Sequence, residues 1–283
     1  MGRMLMNVLL AGGGNGSGGS GGGSGGKTYE KFARLFNAKT PDHSVNLTDD
    51  DFPDGYELPP NAFHENGKIG SFSNSKITNI PAYAFALLEQ DGYTQCQLTS
   101  LSAPQVESIG AYGCSYQYNM PTPDFLGKLK TIGEGAFTHC DSFTGDINLD
   151  NLTDLGLSAF YACGGIETVS APKVTEVIGN AFAMCSSLRD VDLAACTTIG
   201  GAFSRCESLK TLHLGSQTVC TLTTEYAFEG EFGFFGGGDE YGVDYGTITV
   251  YVPDELVSEY QTATNWSVLV AVGRVQFKPE SEM

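Results

Sequence analysis

The sequence predicts an α/β repeat solenoid with short parallel strands, few helices and a C-terminal capping helix. A short motif recurs at a nearly constant interval, a cysteine follows it at a fixed distance, and an alternating apolar segment comes next. Periods of 20 to 50 residues are typical of solenoids, in which each repeat is one structural unit. The clearest copies centre on four phenylalanines, spaced 23, 22 and 21 residues apart: Phe137, Phe160, Phe182 and Phe203.

The recurring unit has the form Ile-Gly-x-x-Ala-Phe-x-x-Cys-x-x-Leu. Its cysteines are Cys140, Cys163, Cys185 and Cys206, each three residues after the phenylalanine. A zinc site needs four converging ligands, whereas one thiol per turn forms a column. We therefore expect a ladder of small buried side chains and no metal. Weaker copies centre on Phe63, Phe85, Tyr112 and Phe228, which predicts about eight turns over residues 56–253.

Each unit also contains a strand pattern, Leu-x-x-Leu-x-Leu, as at residues 188–193 and 209–214. Alternating inward side chains allow strands of successive turns to stack into a parallel sheet. A solenoid leaves apolar surface at both ends, so it needs caps. Residues 254–283 are predicted to form the C-terminal cap, with a helix over Asp254–Ala263 and Trp266 closing the core.

The N-terminal region has a different composition. Residues 11–26 are almost entirely Gly and Ser, which predicts a flexible tether, and residues 27–55 are predicted to form a short helix and an N-terminal cap. Residues 21–28 formally satisfy the phosphate-loop pattern, but no strand leads into the loop, so we expect no nucleotide and no other cofactor. Residues 1–10 form an apolar tip, which we interpret as an assembly anchor made of Met4, Leu5, Met6, Val8, Leu9 and Leu10.

Charge and cysteine usage limit the partners. The formal net charge of −18 disfavours nucleic acids and anionic membranes, and no apolar segment has the roughly 18 residues needed to span a bilayer. The N-terminus lacks a secretion-type apolar segment, so the eight cysteines are expected to be free thiols in a reducing cytosol. The four histidines match no catalytic motif, and the sequence predicts no enzymatic activity.

The Ile-Gly-x-x-Ala-Phe-x-x-Cys unit resembles the BspA-like class of leucine-rich repeats. The resemblance covers roughly residues 56–270 and includes the ending Val250-Tyr251-Val252-Pro253 followed by Tyr260 and Trp266. It implies a leucine-rich-repeat fold and a role in adhesion or protein binding, and it names no partner.

Three insertions interrupt the repeats, after Phe85, Tyr112 and Phe228. They leave the repeat at equivalent points, which predicts that they emerge along one edge. Rings in loops are typical of contact surfaces, although they can also pack into small cores beneath their own loops. The competing surface is the exposed sheet face, with Arg189, Asp192, Lys210 and His213. The predicted binding residues are Tyr93, Tyr116, Tyr118, Phe232, Phe234, Phe235, Tyr241 and Tyr245.

The combination of cytosolic folding, an anchor and a repeat domain predicts a bacteriophage virion protein: a fibre, spike or decoration protein made in the host cytoplasm. Its N-terminus would bind a virion protein, and its repeats would attach to a protein or glycan on the host surface, without insertion into the membrane. We expect it to be a homo-oligomer in the assembly. The alternative is a bacterial cell-surface adhesin.

Overall fold

The computed structural model describes residues 45–52, 54–64, 66, 69–87, 98–228 and 246–283. The anchor, the tether and the helix predicted after it lie outside these ranges. In chain order the described strands are β1 (Val45–Leu47), β2 (Ile69–Ser73), β3 (Asn79–Ile80), β4 (Ser100–Ser102), β5 (Ser108–Ile109), β6 (Thr131–Ile132), β7 (Gly145–Asn148), β8 (Asp154–Leu155), β9 (Ile166–Ser170), β10 (Glu176–Val177), β11 (Asp190–Asp192), β12 (Thr198–Ile199), β13 (Thr211–His213), β14 (Thr221–Leu222), β15 (Ile248–Val252) and β16 (Val275–Pro279).

The chain is a parallel-strand solenoid with two ladders of strands. The longer strands form one ladder, in the orders β1-β2-β4 and β7-β9-β11-β13-β15-β16, interrupted by a 3-10 turn at Leu126–Lys128. The two-residue strands form the second ladder, in the orders β3-β5-β6-β8 and β10-β12-β14. All described strand pairs are parallel, and Val191 pairs with Val169 and Leu212, which are all buried. The predicted parallel stacking is confirmed.

A column of stacked phenyl rings forms the centre of the core. Phe160, Phe182, Phe203 and Phe228 are fully buried, with centroids of successive rings 5.4, 5.8 and 5.7 Å apart and interplanar angles of 4°, 6° and 4°. Phe137 joins the column at 5.3 Å from Phe160. The prediction of one internal aromatic column is therefore confirmed, and it follows from the constant position of phenylalanine in each turn.

The third turn differs from its sequence-based assignment. Tyr112 was expected in the aromatic column, but Cys114 occupies that place. The Cys114 N–H donates to Ala136 O (2.9 Å), just as the Phe137 N–H donates to Ala159 O one turn later (2.8 Å). The aromatic ring of Tyr112 suggested the wrong residue for the column. Tyr112 lies two residues before Cys114, and its ring is outside the core.

A similar shift of one residue affects the turn before Phe182. The motif placed Ile178 at the position of Ile199, but Val177 pairs with Ile199 in the second ladder. Val177 is fully buried and Ile178 only partly so. The number of residues between short strand and phenylalanine therefore differs between turns, with four between Val177 and Phe182 and three between Ile199 and Phe203, while the strand register remains constant.

The four repeat cysteines form the predicted buried ladder. Each thiol donates to a backbone carbonyl of the turn before it, and burial raises the pKa of Cys206 to about 12. The thiols are thus held protonated as small core side chains. The contacts are Cys140 Sγ to Cys114 O (3.3 Å), Cys163 Sγ to Phe137 O (3.0 Å), Cys185 Sγ to Phe160 O (3.2 Å) and Cys206 Sγ to Phe182 O (3.1 Å).

The C-terminal end is closed by a 3-10 turn (Asp254–Leu256) and two short helices, α1 (Val257–Thr262) and α2 (Trp266–Ala271), before β16 joins the sheet. The sequence predicted one helix over Asp254–Ala263, and α1 lies within it. Trp266 is fully buried, and its ring centroid lies 5.9 Å from that of Phe228, so the indole extends the aromatic column. A 3-10 turn at Glu280–Glu282 follows β16. Within the described ranges, no helix has the length and apolarity needed to cross a membrane.

Candidate binding surface at the turn edge

The segment around each column residue brings neighbouring side chains to one edge of the solenoid. Tyr112 (φ 54°) and Tyr116 (φ 60°) flank Cys114, and His139 (φ 55°) follows Phe137. Left-handed backbone is uncommon for such side chains. Hydrogen bonds to the next turn offset the free-energy cost of this backbone conformation. The Tyr112 N–H donates to Glu134 O, and the Tyr116 N–H donates to Thr138 O, both at 2.7 Å. We call the edge formed by these positions, beside the column residues of successive turns, the turn edge.

The first group of rings on the turn edge contains His64, Tyr83 and Tyr112. The rings of Tyr83 and Tyr112 stack with centroids 5.3 Å apart and an interplanar angle of 16°, and His64 approaches Tyr83 edge-on at 5.7 Å. A Cβ atom at Gly135 would overlap the Tyr112 ring, so the glycine leaves room for the ring in this position. Tyr83 keeps 39% of its surface exposed.

The second group contains Tyr116, Tyr118, His139 and Tyr161. The Tyr116 and His139 rings stack with centroids 5.0 Å apart and an interplanar angle of 18°, while Tyr161 meets His139 edge-on at 5.6 Å. Tyr118 lies 6.2 Å from Tyr116 and 6.0 Å from His139. All four side chains are half-buried. Each ring therefore packs against a neighbour and still faces solvent.

The loop that carries Tyr116 and Tyr118 is held firmly on the repeats. Gln117 is almost fully buried: its side-chain oxygen accepts from Leu98 N–H (2.9 Å), and its side-chain nitrogen donates to Phe85 O (2.5 Å). Met120 is fully buried as well. The expected insertion therefore folds back through Gln117 and Met120, while its two tyrosines remain partly exposed. A loop fixed in this way loses little conformational entropy when it binds.

The charged groups beside these rings include two carboxylates, those of Glu134 and Asp141. Tyr112 Oη donates to a carboxylate oxygen of Glu134 at 2.8 Å, and this hydrogen bond raises the pKa of Tyr112 to about 12. Burial raises the pKa of Asp141, and His139, whose Nδ1 is 4.0 Å from the Asp141 carboxylate, opposes that shift. The turn edge thus combines rings, tyrosine hydroxyls and two carboxylates.

The exposed sheet face, the competing surface, is polar and largely bonded to itself. Arg189 pairs with Glu167 (2.7 Å), and the His213 ring lies between the carboxylates of Asp192 (2.8 Å) and Glu280 (2.7 Å). These side chains already have partners within the chain. A ligand would have to break those contacts in order to use them.

Part of the repeat region is similar to a known protein family. Residues 107–232 match six copies of the BspA type leucine-rich repeat region. Among solved structures, a leucine-rich repeat protein from Bacteroides ovatus is similar, with 16% identity over 84% of each chain and a TM-score of 0.23. No curated protein matches the sequence.

Two of the binding residues expected from the sequence, Tyr116 and Tyr118, lie within the matched repeats, and the structure brings them together with His139. The other expected positions lie outside the described residues and stay predictions. They are Tyr93, Phe232, Phe234, Phe235, Tyr241 and Tyr245, together with the anchor residues Met4, Leu5, Met6, Val8, Leu9 and Leu10.

Five of the turn-edge rings were not expected from the sequence, because they lie outside the insertions. Their common signal is position within the repeat: each lies one or two residues from the column residue of its turn. His64 and Tyr161 directly follow Phe63 and Phe160, Tyr83 and Tyr112 lie two residues before Phe85 and Cys114, and His139 lies two residues after Phe137.

Proposed function

We propose that the protein is a non-enzymatic binding protein that attaches to another molecule through the turn edge. One observation carries this proposal: partly exposed rings from five successive turns, from His64 to Tyr161, gather on one edge. Tyrosine supplies a large contact area at a low entropy cost and is enriched at the residues that dominate binding energy. Adhesion is therefore the role that this surface serves best.

The chemistry of the described residues also favours binding over catalysis. The repeat cysteines are buried thiols whose pKa values are raised, which makes them poor nucleophiles. Of the two turn-edge histidines, His139 is packed between rings, and its Nδ1 lies 4.0 Å from the Asp141 carboxylate. The packing of these groups within the repeats accounts for their positions without any reaction.

The biological setting of this binding stays a prediction. The sequence favours a phage virion protein that attaches to the host surface, with a bacterial cell-surface adhesin as the alternative. Antibodies against the repeat domain would decide between them: labelling of purified virions supports the first setting, and labelling of intact bacterial cells that contain no phage supports the second.

The turn edge is tested with a double substitution, Tyr116→Ala with Tyr118→Ala, in the full chain. Binding of the labelled protein to a panel of intact bacterial strains gives the affinity. Loss of a central aromatic contact typically costs about 2 kcal/mol, so we expect affinity to fall roughly thirtyfold or more. Arg189→Ala is the matched control, because it changes the sheet face and should leave binding within about twofold.

Unchanged affinity in the tyrosine variant would contradict the assignment to the turn edge. Affinity that falls in the Arg189→Ala variant instead would place the binding site on the sheet face. Circular dichroism and thermal unfolding of both variants show whether a loss of binding reflects a loss of fold.

A further inference from the structure

The part of the turn edge that extends from His64 to Tyr161 has an uneven distribution of charge. Its described segments contain two carboxylates, those of Glu134 and Asp141, and no lysine or arginine. On other faces, cations are paired within the chain, as Lys130 is with Glu107 (2.6 Å) and Arg189 with Glu167 (2.7 Å). The five segments are residues 59–64, 80–87, 110–119, 133–142 and 156–164.

Glu134 and Tyr112 present hydrogen-bond acceptors at this surface. The Tyr112 hydroxyl donates its proton to the Glu134 carboxylate at 2.8 Å, which leaves the phenol oxygen and the other carboxylate lone pairs as acceptors. Glu134 is exposed and Tyr112 is half-buried. A partner that binds here must therefore supply hydrogen-bond donors.

Asp141, seven residues further along the same turn, has no close donor among the described residues. Its ion-pair contact is with His139, whose Nδ1 is 4.0 Å away, and about half of its side chain (49%) is exposed. Burial of the remainder raises the pKa of Asp141. A carboxylate that has lost part of its hydration without gaining a hydrogen bond is stabilised when a partner brings a donor.

The ring pairs offer solvent their edges and hydroxyl groups more than their faces. Tyr83 and Tyr112 are stacked at 16°, and Tyr116 and His139 at 18°, so the two rings of each pair cover one face of each other. A neutral glycan could donate hydrogen bonds to the acceptors, but it would not neutralise the two carboxylates. Charge therefore separates the two classes of partner, and it favours a cation.

We infer that the turn edge binds a positively charged segment of a partner protein, in which arginine side chains pair with Glu134 and Asp141. This inference rests on the proposed function, because it names the partner of the same surface. A guanidinium has five N–H donors and no acceptor, fits a carboxylate with two parallel hydrogen bonds and stacks on aromatic rings. The formal net charge of −18 also attracts such a segment from a distance.

The test measures binding of a fluorescently labelled penta-arginine peptide to the full chain by anisotropy at physiological ionic strength. The site variant is Glu134→Gln with Asp141→Asn, which removes two charges and nearly preserves the shape of both side chains. The matched control is Asp146→Asn with Asp190→Asn, which removes two exposed carboxylates from the sheet face. Maltopentaose, a neutral oligosaccharide, is the second probe. Circular dichroism and thermal unfolding verify that the variants are folded.

We expect the site variant to bind penta-arginine roughly tenfold more weakly than the wild type, because two ion pairs are lost. The control loses the same charge and should stay within about twofold of the wild type. Equal losses in the two variants would show that the peptide responds to net charge alone and would overturn the inference. Binding of maltopentaose without binding of penta-arginine would overturn it in favour of a glycan.

Binding to the panel of intact bacterial strains separates this inference from the proposed function. Cell binding that falls in Tyr116→Ala with Tyr118→Ala but not in the site variant would keep the turn edge and overturn the cationic partner. Cell binding that falls in neither variant would overturn the turn edge as well. A fall in both variants, with the Asp146→Asn and Asp190→Asn control unchanged, supports the two proposals together.

Discussion

The turns that carry Phe160, Phe182, Phe203 and Phe228 differ from those that carry Phe63, Phe85 and Cys114. In the C-terminal set, successive rings are stacked and nearly parallel, with interplanar angles of 6° or less. In the N-terminal set, Phe63 and Phe85 are inclined at 25°, Phe72 meets Phe85 at 68°, and Cys114 interrupts the column. The outside shows the reverse: the N-terminal turn edge has stacked rings, whereas the C-terminal set has fewer rings there, Tyr161 and Tyr226, together with Ala162, Met184 and Arg205.

This contrast shows how one repeat can serve two purposes. The column position, the cysteine and the strand register are fixed by packing, and where they are uninterrupted the outside of the turn carries fewer rings. Where the interior is irregular, the adjoining edge is richer in large side chains and extra loop residues. Recognition surfaces are commonly built on the variable parts of a rigid scaffold. Here the most regular turns are those of the C-terminal set, and most of the turn-edge rings lie outside them.

The largest expected effect is in the regular set. Phe182→Ala removes a ring stacked on both sides and leaves a cavity that rigid neighbouring turns cannot fill, so the free energy of unfolding should fall by about 3–5 kcal/mol. Phe63→Ala, near the N-terminal end of the column, should cost less, because a terminal turn relaxes more easily. Equilibrium denaturant unfolding of both variants checks the difference, and equal costs would show that the two sets are equally rigid.

The sequence was sufficient to predict the regular set. The spacing of Phe137, Phe160, Phe182 and Phe203 and their accompanying cysteines predicted the column, the thiol ladder and the parallel strands, because each depends only on a residue type that recurs at a fixed position. The position of Cys114 could not be predicted in the same way. Its turn lacks the aromatic residue that marks the column, and the nearby Tyr112 gave a false alignment.

The second prediction tests whether the core of the N-terminal set has room for a phenyl ring at position 114, where Cys114 interrupts the column. Cys114 is fully buried, and its carbonyl oxygen accepts a hydrogen bond from the Cys140 thiol. Cys114→Phe restores the aromatic pattern in sequence, but it forces a ring into a filled core. We expect it to lower the free energy of unfolding by about 1–3 kcal/mol.

Cys114→Ala is the control for this substitution, because it removes the sulfur without adding volume. It should be milder than the change to phenylalanine. A Cys114→Phe protein that is more stable than the wild type would show that the two sets of turns can pack alike. The two sets of turns would then differ only in the side chains of their turn edges.

The candidate site was harder to predict than the fold. Tyr116 and Tyr118 were found because they lie in an insertion, but His139 and Tyr161 lie in turns of ordinary length. Their participation depends on which side chains of consecutive turns meet across the edge. That information comes from the hydrogen-bond register between turns, such as Tyr116 N–H to Thr138 O (2.7 Å), and composition alone does not contain it.

The smallest expected effect concerns the polar support of the turn-edge rings. Tyr112 Oη donates to Glu134, and the pKa of Tyr112 is raised to about 12 from an ordinary value of 10.0. A phenol whose folded pKa is raised stabilises the folded state below pH 10, and this contribution is lost as the pH rises through 12. Because both side chains face solvent, screening keeps the contribution below about 1 kcal/mol.

Ultraviolet difference titration of the wild type against Glu134→Gln isolates this tyrosine, because burial alone raises the pKa of Tyr56 and that cause is unaffected by the substitution. One tyrosine should ionise at a lower pH in the variant, shifted from about 12 toward 10. Glu107→Gln, whose carboxylate pairs with Lys130, is the control and should leave the titration unchanged. Identical curves for Glu134→Gln and the wild type would mean that stacking alone positions the Tyr112 ring, as it does the phenyl rings of the C-terminal column.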